Sequence, residues 1–178
     1  PKSSEFGPNA VYFQHNLEEA KKLMVAAGYP DGVEVVRTSA PDNYGAKATR
    51  DMEVICAMAS EIGFRFVDNI VGYNTGYQPQ YRDASGNFDG ETHRSVLGGA
   101  TDAVELLISG FSPAGGSTFV GLDVNGRGDF SGDPYVTQQL SAARAEVDFD
   151  RRRSIVNELQ RYLGKTQYML RYPGGATG

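Results

Sequence analysis

Twice in succession, an amphipathic helical pattern in this chain ends on a glycine and gives way to a β-branched run. In the first repeat Leu17, Ala20, Met24 and Ala27 share one helical face, Asn16 is placed to cap it with Glu19 in the reciprocal position, and Gly28 supplies the stop. Tyr29-Pro30-Asp31-Gly32 reads as a turn and Val33 to Ser39 as a strand. After a polar Pro41-Asp42-Asn43 turn, Ala48, Met52, Ile55, Ala59 and Ile62 recur at helical spacing, Gly63 closes the helix, and Phe64 to Val71 reads as a second strand. A helix must bury its stripe and a strand its face, so this alternation predicts an α/β layer architecture rather than a helical bundle.

Downstream the pattern loosens. Gly72 to Asn87 reads as a long irregular connection carrying Tyr73, Tyr77 and Tyr81 among Gly, Asn, Gln and Pro, and connections of that length are often functional. Asp102 predicts the cap of a short helix from Ala103 to Ser109, and Gly110 to Gly132 is punctuated as a loop. Asp133 caps Pro134 to Glu146, with proline at the first helical position; Asp148 caps a helix reaching Leu163. Val136, Leu140, Ala143 and Val147 form one predicted apolar face, and Ile155, Leu159 and Leu163 the other. Gln167 to Tyr172 reads as a last strand, and no internal repeat is present.

Composition narrows the function classes. Seventeen basic against twenty-two acidic residues give a net charge of −5, which disfavours a phosphate-backbone ligand. The one basic run, Arg151-Arg152-Arg153, is flanked by Asp148, Asp150 and Glu158 and reads as a solvated face laced with ion pairs. A single cysteine, Cys56, excludes an internal disulfide and a Cys-rich zinc site, and is expected to pack as a small hydrophobe. No cofactor is implied. At 178 residues the length fits one domain.

Three short motifs invite catalytic or metal readings, and each has a local objection. Gly110-Phe111-Ser112-Pro113-Ala114 resembles a nucleophile elbow, but Pro113 lacks the backbone N–H that would serve the oxyanion. Asp123, Asn125 and Asp129 resemble a calcium loop, yet Arg127 takes a ligand position and Pro134 stands where the bidentate Glu is needed. Arg127-Gly128-Asp129 matches an adhesion tripeptide that ordinary turn chemistry also explains. His15 and His93 are the only histidines, so a small hydrolase using Ser112 or Cys56 would need one of them as base; His15, ahead of a helix, is expected to be exposed.

His15 to Gly32 resembles a segment of the family 5 extracellular solute-binding proteins, which include dipeptide, oligopeptide and nickel binders. Glu61 to Asn69, Gly86 to Gly90 (GNFDG, similar to the family's lead-in to a core strand) and Gly132 to Leu163 continue it in the family's order. The resemblance implies one lobe of a type II periplasmic-binding-protein fold, a partial mixed sheet with packed helices. Residues 1–178 would form a single partial domain, the second lobe, with the first lobe and the hinge return absent. It implies an extracytoplasmic component of an ABC importer, periplasmic or lipid-anchored, that holds a small or peptide-like solute between two lobes and docks on a membrane permease without catalysis. The stretch Thr92, His93, Arg94 and Ser95, just beyond GNFDG, would emerge toward the cleft with several hydrogen-bond donors, and with Tyr73 it makes up the candidate ligand-binding set. One departure stands out: where peptide-binding relatives carry an Asp soon after this strand, the chain reads Leu97-Gly98-Gly99-Ala100-Thr101-Asp102, and Asp102 is needed as a cap.

Overall fold

The computed structural model describes residues 6–83, 88–92, 102–115 and 129–169, which fall into two compact units. One is built around a sheet and contains the described residues from His15 to Thr92; the other is helical and contains residues 6–14, 102–115 and 129–169.

In the sheet unit, α1 (Leu17–Ala26) begins at Asn16, whose side chain accepts the Glu19 N–H, and ends before Gly28 at φ +90°. Strand β1 (Val33–Ser39) pairs in parallel with β2 (Phe64–Ile70) along its full length and with the two-residue β3 (Glu91–Thr92) on its other side, giving the order β2-β1-β3. A mixed sheet is expected from the resemblance; both described pairings are parallel. Glycine is required where backbones crowd. A Cβ on Gly32 would meet the Gly63 carbonyl oxygen at 2.2 Å, and one on Gly90, just ahead of β3, would meet that of Val36 at 2.3 Å.

Two connections differ from the sequence expectation. The Pro41-Asp42-Asn43 turn is itself helical: α2 spans Pro41–Ser60, with a kink at Gly45 (φ +77°) separating its opening turn from the amphipathic run that buries Met52 and Cys56. Proline at the start fits because its missing N–H would have no helical partner there. The connection after β2, expected to be irregular, is a π-helix over Tyr73–Arg82, with the Tyr77 N–H reaching the Gly72 carbonyl and the Asp83 N–H that of Gln78, both five residues back. Tyr73, Tyr77 and Tyr81 are each four apart and stack on one side of it, at ring separations of 5.7 and 6.0 Å. Glycine, proline and amide residues hid that periodicity.

The helical unit is more regular. Helices α3 (Ala103–Phe111), α4 (Pro134–Ala145) and α5 (Phe149–Thr166) begin on Asp102, Asp133 and Asp148, each side chain accepting a backbone N–H of the first turn. Their core joins Val104, Leu107, Ile108 and Phe111 to Val136, Leu140, Ala143 and Leu159, with Ile155 and Leu163 packed against it. Val147 departs from the expected face and is 95% exposed, because α4 ends before it and the chain turns out at Glu146. The predicted last strand is not formed over Gln167–Met169, where Gln167 takes a left-handed φ of 50° as the residue closing α5; positions 170–172 lie outside the described residues.

Candidate functional site

Strand alternation sorts the carboxyl end of the sheet into two rows of opposite chemistry. In register across β2, β1 and β3, Asp68, Arg37 and Glu91 form a charged row; one step on, Asn69, Thr38 and Thr92 form a neutral polar row on the other face.

Helix α2 lies over the charged row. The Arg37 guanidinium pairs with Asp68, and Cys56 Sγ lies 3.9 Å from Glu91 Oε1. Burial pushes the Glu91 carboxyl up, opposed by Arg37 and by the contact with Cys56; burial likewise raises the Cys56 thiol, with Arg37 opposing. A buried, protonated thiol is a poor nucleophile. Cys56 is buried, as expected of a small hydrophobe, though its neighbours are charged.

The π-helix lies over the neutral row. Thr92 Oγ1 is 3.0 Å from the Thr38 carbonyl oxygen and 3.0 Å from the Tyr77 hydroxyl. The carbonyl can only accept, so the Thr92 proton goes there and the Tyr77 hydroxyl donates to Thr92. The Asn69 amide donates to Thr38 Oγ1 at 3.2 Å and to the Tyr81 hydroxyl at 3.1 Å. Tyr77 and Thr38 are fully buried, which makes this paired network costly to disturb.

The chain therefore leaves β1 over one face, through α2, and reaches β3 over the other, through the π-helix. Adjacent strands whose connections depart to opposite faces open a crevice at their carboxyl ends, the usual ligand position in open parallel sheets. At this end of the sheet the described strands finish at Ser39 and Thr92, and the chain that leaves β3 lies outside the described residues. Tyr44, in the opening turn of α2, packs edge-on against Tyr73 at 5.6 Å and Tyr77 at 5.5 Å, so the wall beside it is aromatic. Burial, with the two neighbouring tyrosines, pushes the Tyr44 hydroxyl up, keeping it a neutral donor.

Of the sequence candidates, Tyr73 and Thr92 are brought into this one region, Tyr73 half-buried with its hydroxyl 3.3 Å from an Arg82 guanidinium nitrogen. Thr92 is the last residue of β3, but its hydroxyl is engaged within the sheet. His93, Arg94 and Ser95 lie outside the described residues. Sequence reasoning missed Thr38, Asn69, Tyr44 and Asp42; the four-residue spacing of the tyrosines was the available signal.

Where the remaining motifs fall on described residues, their side chains make local contacts. Ser112 follows α3, is buried, and its Oγ accepts the Ala114 N–H at 3.2 Å, as in an ordinary serine turn. Asp129 accepts from the Ser131 N–H and hydroxyl, while Asp123, Asn125, Arg127 and Gly128 lie outside the described residues. No group of metal-binding side chains occurs among the described residues. Arg151 pairs with Glu146 and Asp148, and Arg152 with Asp102, as expected for a solvated charged face; His15 is exposed.

No family model matches the chain, and no curated protein does. Solved structures do. The periplasmic binding protein DppA of Helicobacter pylori, in complex with the peptide STSA, matches 86% of this chain with 28% of its own, at a TM-score of 0.66 and 17% identity. AgaA of A. tumefaciens R10, bound to agropinic acid, matches 85% of this chain at 0.63 and 24% identity. The chain has the fold of a periplasmic-binding-protein lobe. MoaA of the same bacterium, bound to mannopinic acid, agrees at 0.57, with 85% coverage and 19% identity. The chain spans under a third of these proteins, covering 28%, 29% and 28% of them. All three are periplasmic binding proteins, and the likeness of fold accords with the lobe architecture expected from the resemblance to family 5.

Proposed function

We propose that this lobe is the second lobe of an extracytoplasmic solute-binding protein of an ABC importer, closing with a first lobe over a small polar solute and delivering it to a membrane permease. The carrying observation is the fold likeness over about 85% of the chain to three ligand-loaded binding proteins. The parallel β2-β1-β3 sheet supports it, because open parallel sheets offer backbone and side-chain groups to a ligand at the carboxyl ends of their strands. His93, Arg94 and Ser95, directly after β3, and the Tyr73 ring beside it are the proposed solute contacts. An extracytoplasmic location follows from this role, and no helix among the described residues is long and apolar enough to cross a membrane.

Capture in this reading is an equilibrium between open and closed lobes, biased by contacts made only on closure. One lobe supplies part of the contacts and none of the desolvation, so alone it binds weakly. A parallel thermal-shift screen of this chain and its full-length parent, with peptides, sugar acids and metal chelates, tests the reading. Cognate solute at a hundredfold excess over its Kd stabilises the parent by about 2.7 kcal/mol and leaves the lobe nearly unmoved. Equal shifts in both would mean that the lobe holds a complete site, and the two-lobe reading would fall.

A further inference from the structure

The two residues of β3 send their side chains to opposite faces of the sheet, and the two faces hold the strand to β1 in different ways. On one face Thr92 is clamped, its Oγ1 3.0 Å from the Thr38 carbonyl oxygen and 3.0 Å from the Tyr77 hydroxyl. On the other, Glu91 sits half-buried in register with Arg37 and forms no ion pair among the described residues. The guanidinium that could neutralise it is engaged elsewhere: Arg37 Nε and Nη2 both stand 2.5 Å from Asp68 Oδ1. What Glu91 touches instead is the buried Cys56 thiol of α2, at 3.9 Å. The strand is seated tightly there, since a Cβ on Gly90 would meet the Val36 carbonyl oxygen at 2.3 Å.

We infer that Glu91 is a proton-operated latch on β3: the neutral acid lets the strand seat on β1, and its ionisation loosens that seat while the β1–β2 ladder stays intact. The groups facing Glu91 are Arg37 on β1, Asp68 on β2 and Cys56 on α2. They give two carboxylates to one guanidinium, so an ionised Glu91 leaves a net negative charge in a partly buried site. Asp68 has a side chain 55% exposed and holds the cation; Glu91 is the more buried of the two and lacks it. Burial pushes the Glu91 carboxyl above the ordinary glutamate range, with Arg37 and the Cys56 contact opposing and Asp68 adding to the rise. The seated strand therefore holds the proton more tightly than the free one. Its contribution is complete below the free glutamate value, about 4.3, and is lost as pH rises through the higher, seated one. The Thr92 clamp carries no carboxylate, so it holds the other face of the strand through the same change. The latch goes beyond the binding-lobe reading, for it makes the docking of one strand depend on pH without a solute.

Amide protection of Glu91 and Thr92, corrected for the intrinsic exchange rate, is followed by NMR in the 178-residue chain, with the β1–β2 ladder as internal reference. Between about pH 4 and pH 8, protection over β3 should fall several-fold while the reference holds. The Glu91 carboxyl carbon should titrate with the same midpoint, above that of free glutamate. Glu91→Gln is a permanent stand-in for the neutral acid, and it should keep β3 at its low-pH protection throughout. Asp68→Asn removes the competing carboxylate and frees Arg37 for Glu91, so the midpoint should move to lower pH. A flat parent profile, a Glu91→Gln chain with the parent's pH response, or protection lost over β3 and the reference together would overturn the latch. So would a midpoint that Asp68→Asn leaves in place. A Glu91→Gln spectrum without native dispersion would equally end the proposal, because the neutral side chain should seat best. Each of these outcomes leaves the binding-lobe reading standing, since no solute takes part.

Discussion

The helical unit and the sheet unit spend burial on different things. In the helical unit the fully buried side chains include Leu159, Val104 and Val136, and the three helices are begun by aspartate caps at exposed or half-exposed starts apart from Asp133. In the sheet unit the largest fully buried side chains among the described residues are Tyr77 and Thr38, both polar and both tied into a network at the carboxyl end of the strands, with the small Ala40 buried beside them. Apolar burial stabilises without fixing orientation, while a paired polar network fixes geometry at a net gain of about 1 kcal/mol per bond. The first unit is built as scaffold and the second as a shaped wall. Substitutions that lose packing should therefore hurt most in the helical unit, and those that lose geometry should show in the sheet unit.

The largest expected effect tests the scaffold. Leu159 is 0% exposed at the centre of the α3, α4 and α5 core. Leu159→Ala should cost about 2–5 kcal/mol in equilibrium unfolding by denaturant. A loss near zero would mean that α5 does not bury this face, and the contrast between the units would collapse.

The second tests the one place where the scaffold is polar. Asp133 Oδ1 accepts the Tyr135 and Val136 N–H groups at the start of α4, and its Oδ2 accepts the Tyr162 hydroxyl at 2.6 Å and the Tyr168 hydroxyl at 2.8 Å. Burial would push its carboxyl up, but the two tyrosine hydroxyls and the two backbone donors outweigh that and hold it below the usual aspartate range. A depressed folded-state value contributes stability that is present above the unfolded value, about 3.9, and is lost as pH falls through the folded one. Asp133→Ala should cost roughly 1–3 kcal/mol at neutral pH. The difference from the parent should shrink when unfolding is repeated at progressively more acid pH below about 4. A pH-independent difference would remove the carboxylate's charge from the account.

How legible each unit was follows from the same contrast. The caps Asn16, Asp102, Asp133 and Asp148 and the stripes through Val136, Leu140 and Leu159 announce themselves locally, because a cap or an apolar repeat acts within a turn or two of chain. Strands β1 and β2 were legible for the same reason, to within a residue. The site was not. Its two rows depend on the register of three strands, which no local pattern encodes, and its Tyr77 and Thr92 are 15 residues apart in sequence while Thr38 and Thr92 are 54 apart. Asp42 read as a turn residue because Pro-Asp-Asn is turn chemistry; only the bond to the Tyr73 N–H shows that it ties the starts of two helices together. Tyr73 and Thr92 entered the candidate set for a coarser reason, one by its aromatic loop and the other by its place after GNFDG.

A smaller effect tests the shaped wall. Tyr77→Phe removes only the hydroxyl that reaches Thr92, so it should cost about 1 kcal/mol and leave the ring stack in place. Its geometric consequence should exceed its energetic one. Amide exchange at Thr92 should quicken while that of Leu159 is unchanged, since opening would be local rather than global. Equal acceleration at both positions would show that Tyr77 stabilises the chain as a whole and that its hydroxyl positions nothing in particular.

The smallest expected effect is none at all, and it bears on whether the helical unit is only scaffold. Ser112 is the residue through which that unit could hold chemistry, and its Oγ accepts the Ala114 N–H within its own turn. A serine nucleophile needs a base that takes its proton and a backbone N–H after it for the oxyanion. Pro113 supplies no such N–H, and the Ser112 hydroxyl is engaged with the Ala114 N–H. Parent and Ser112→Ala chains assayed side by side on a panel of chromogenic esters should give the same rate as buffer. Turnover in the parent that vanishes in the variant would place a reaction in the unit read here as scaffold. The contrast would then reverse, with the helical unit carrying the chemistry and the sheet supporting it.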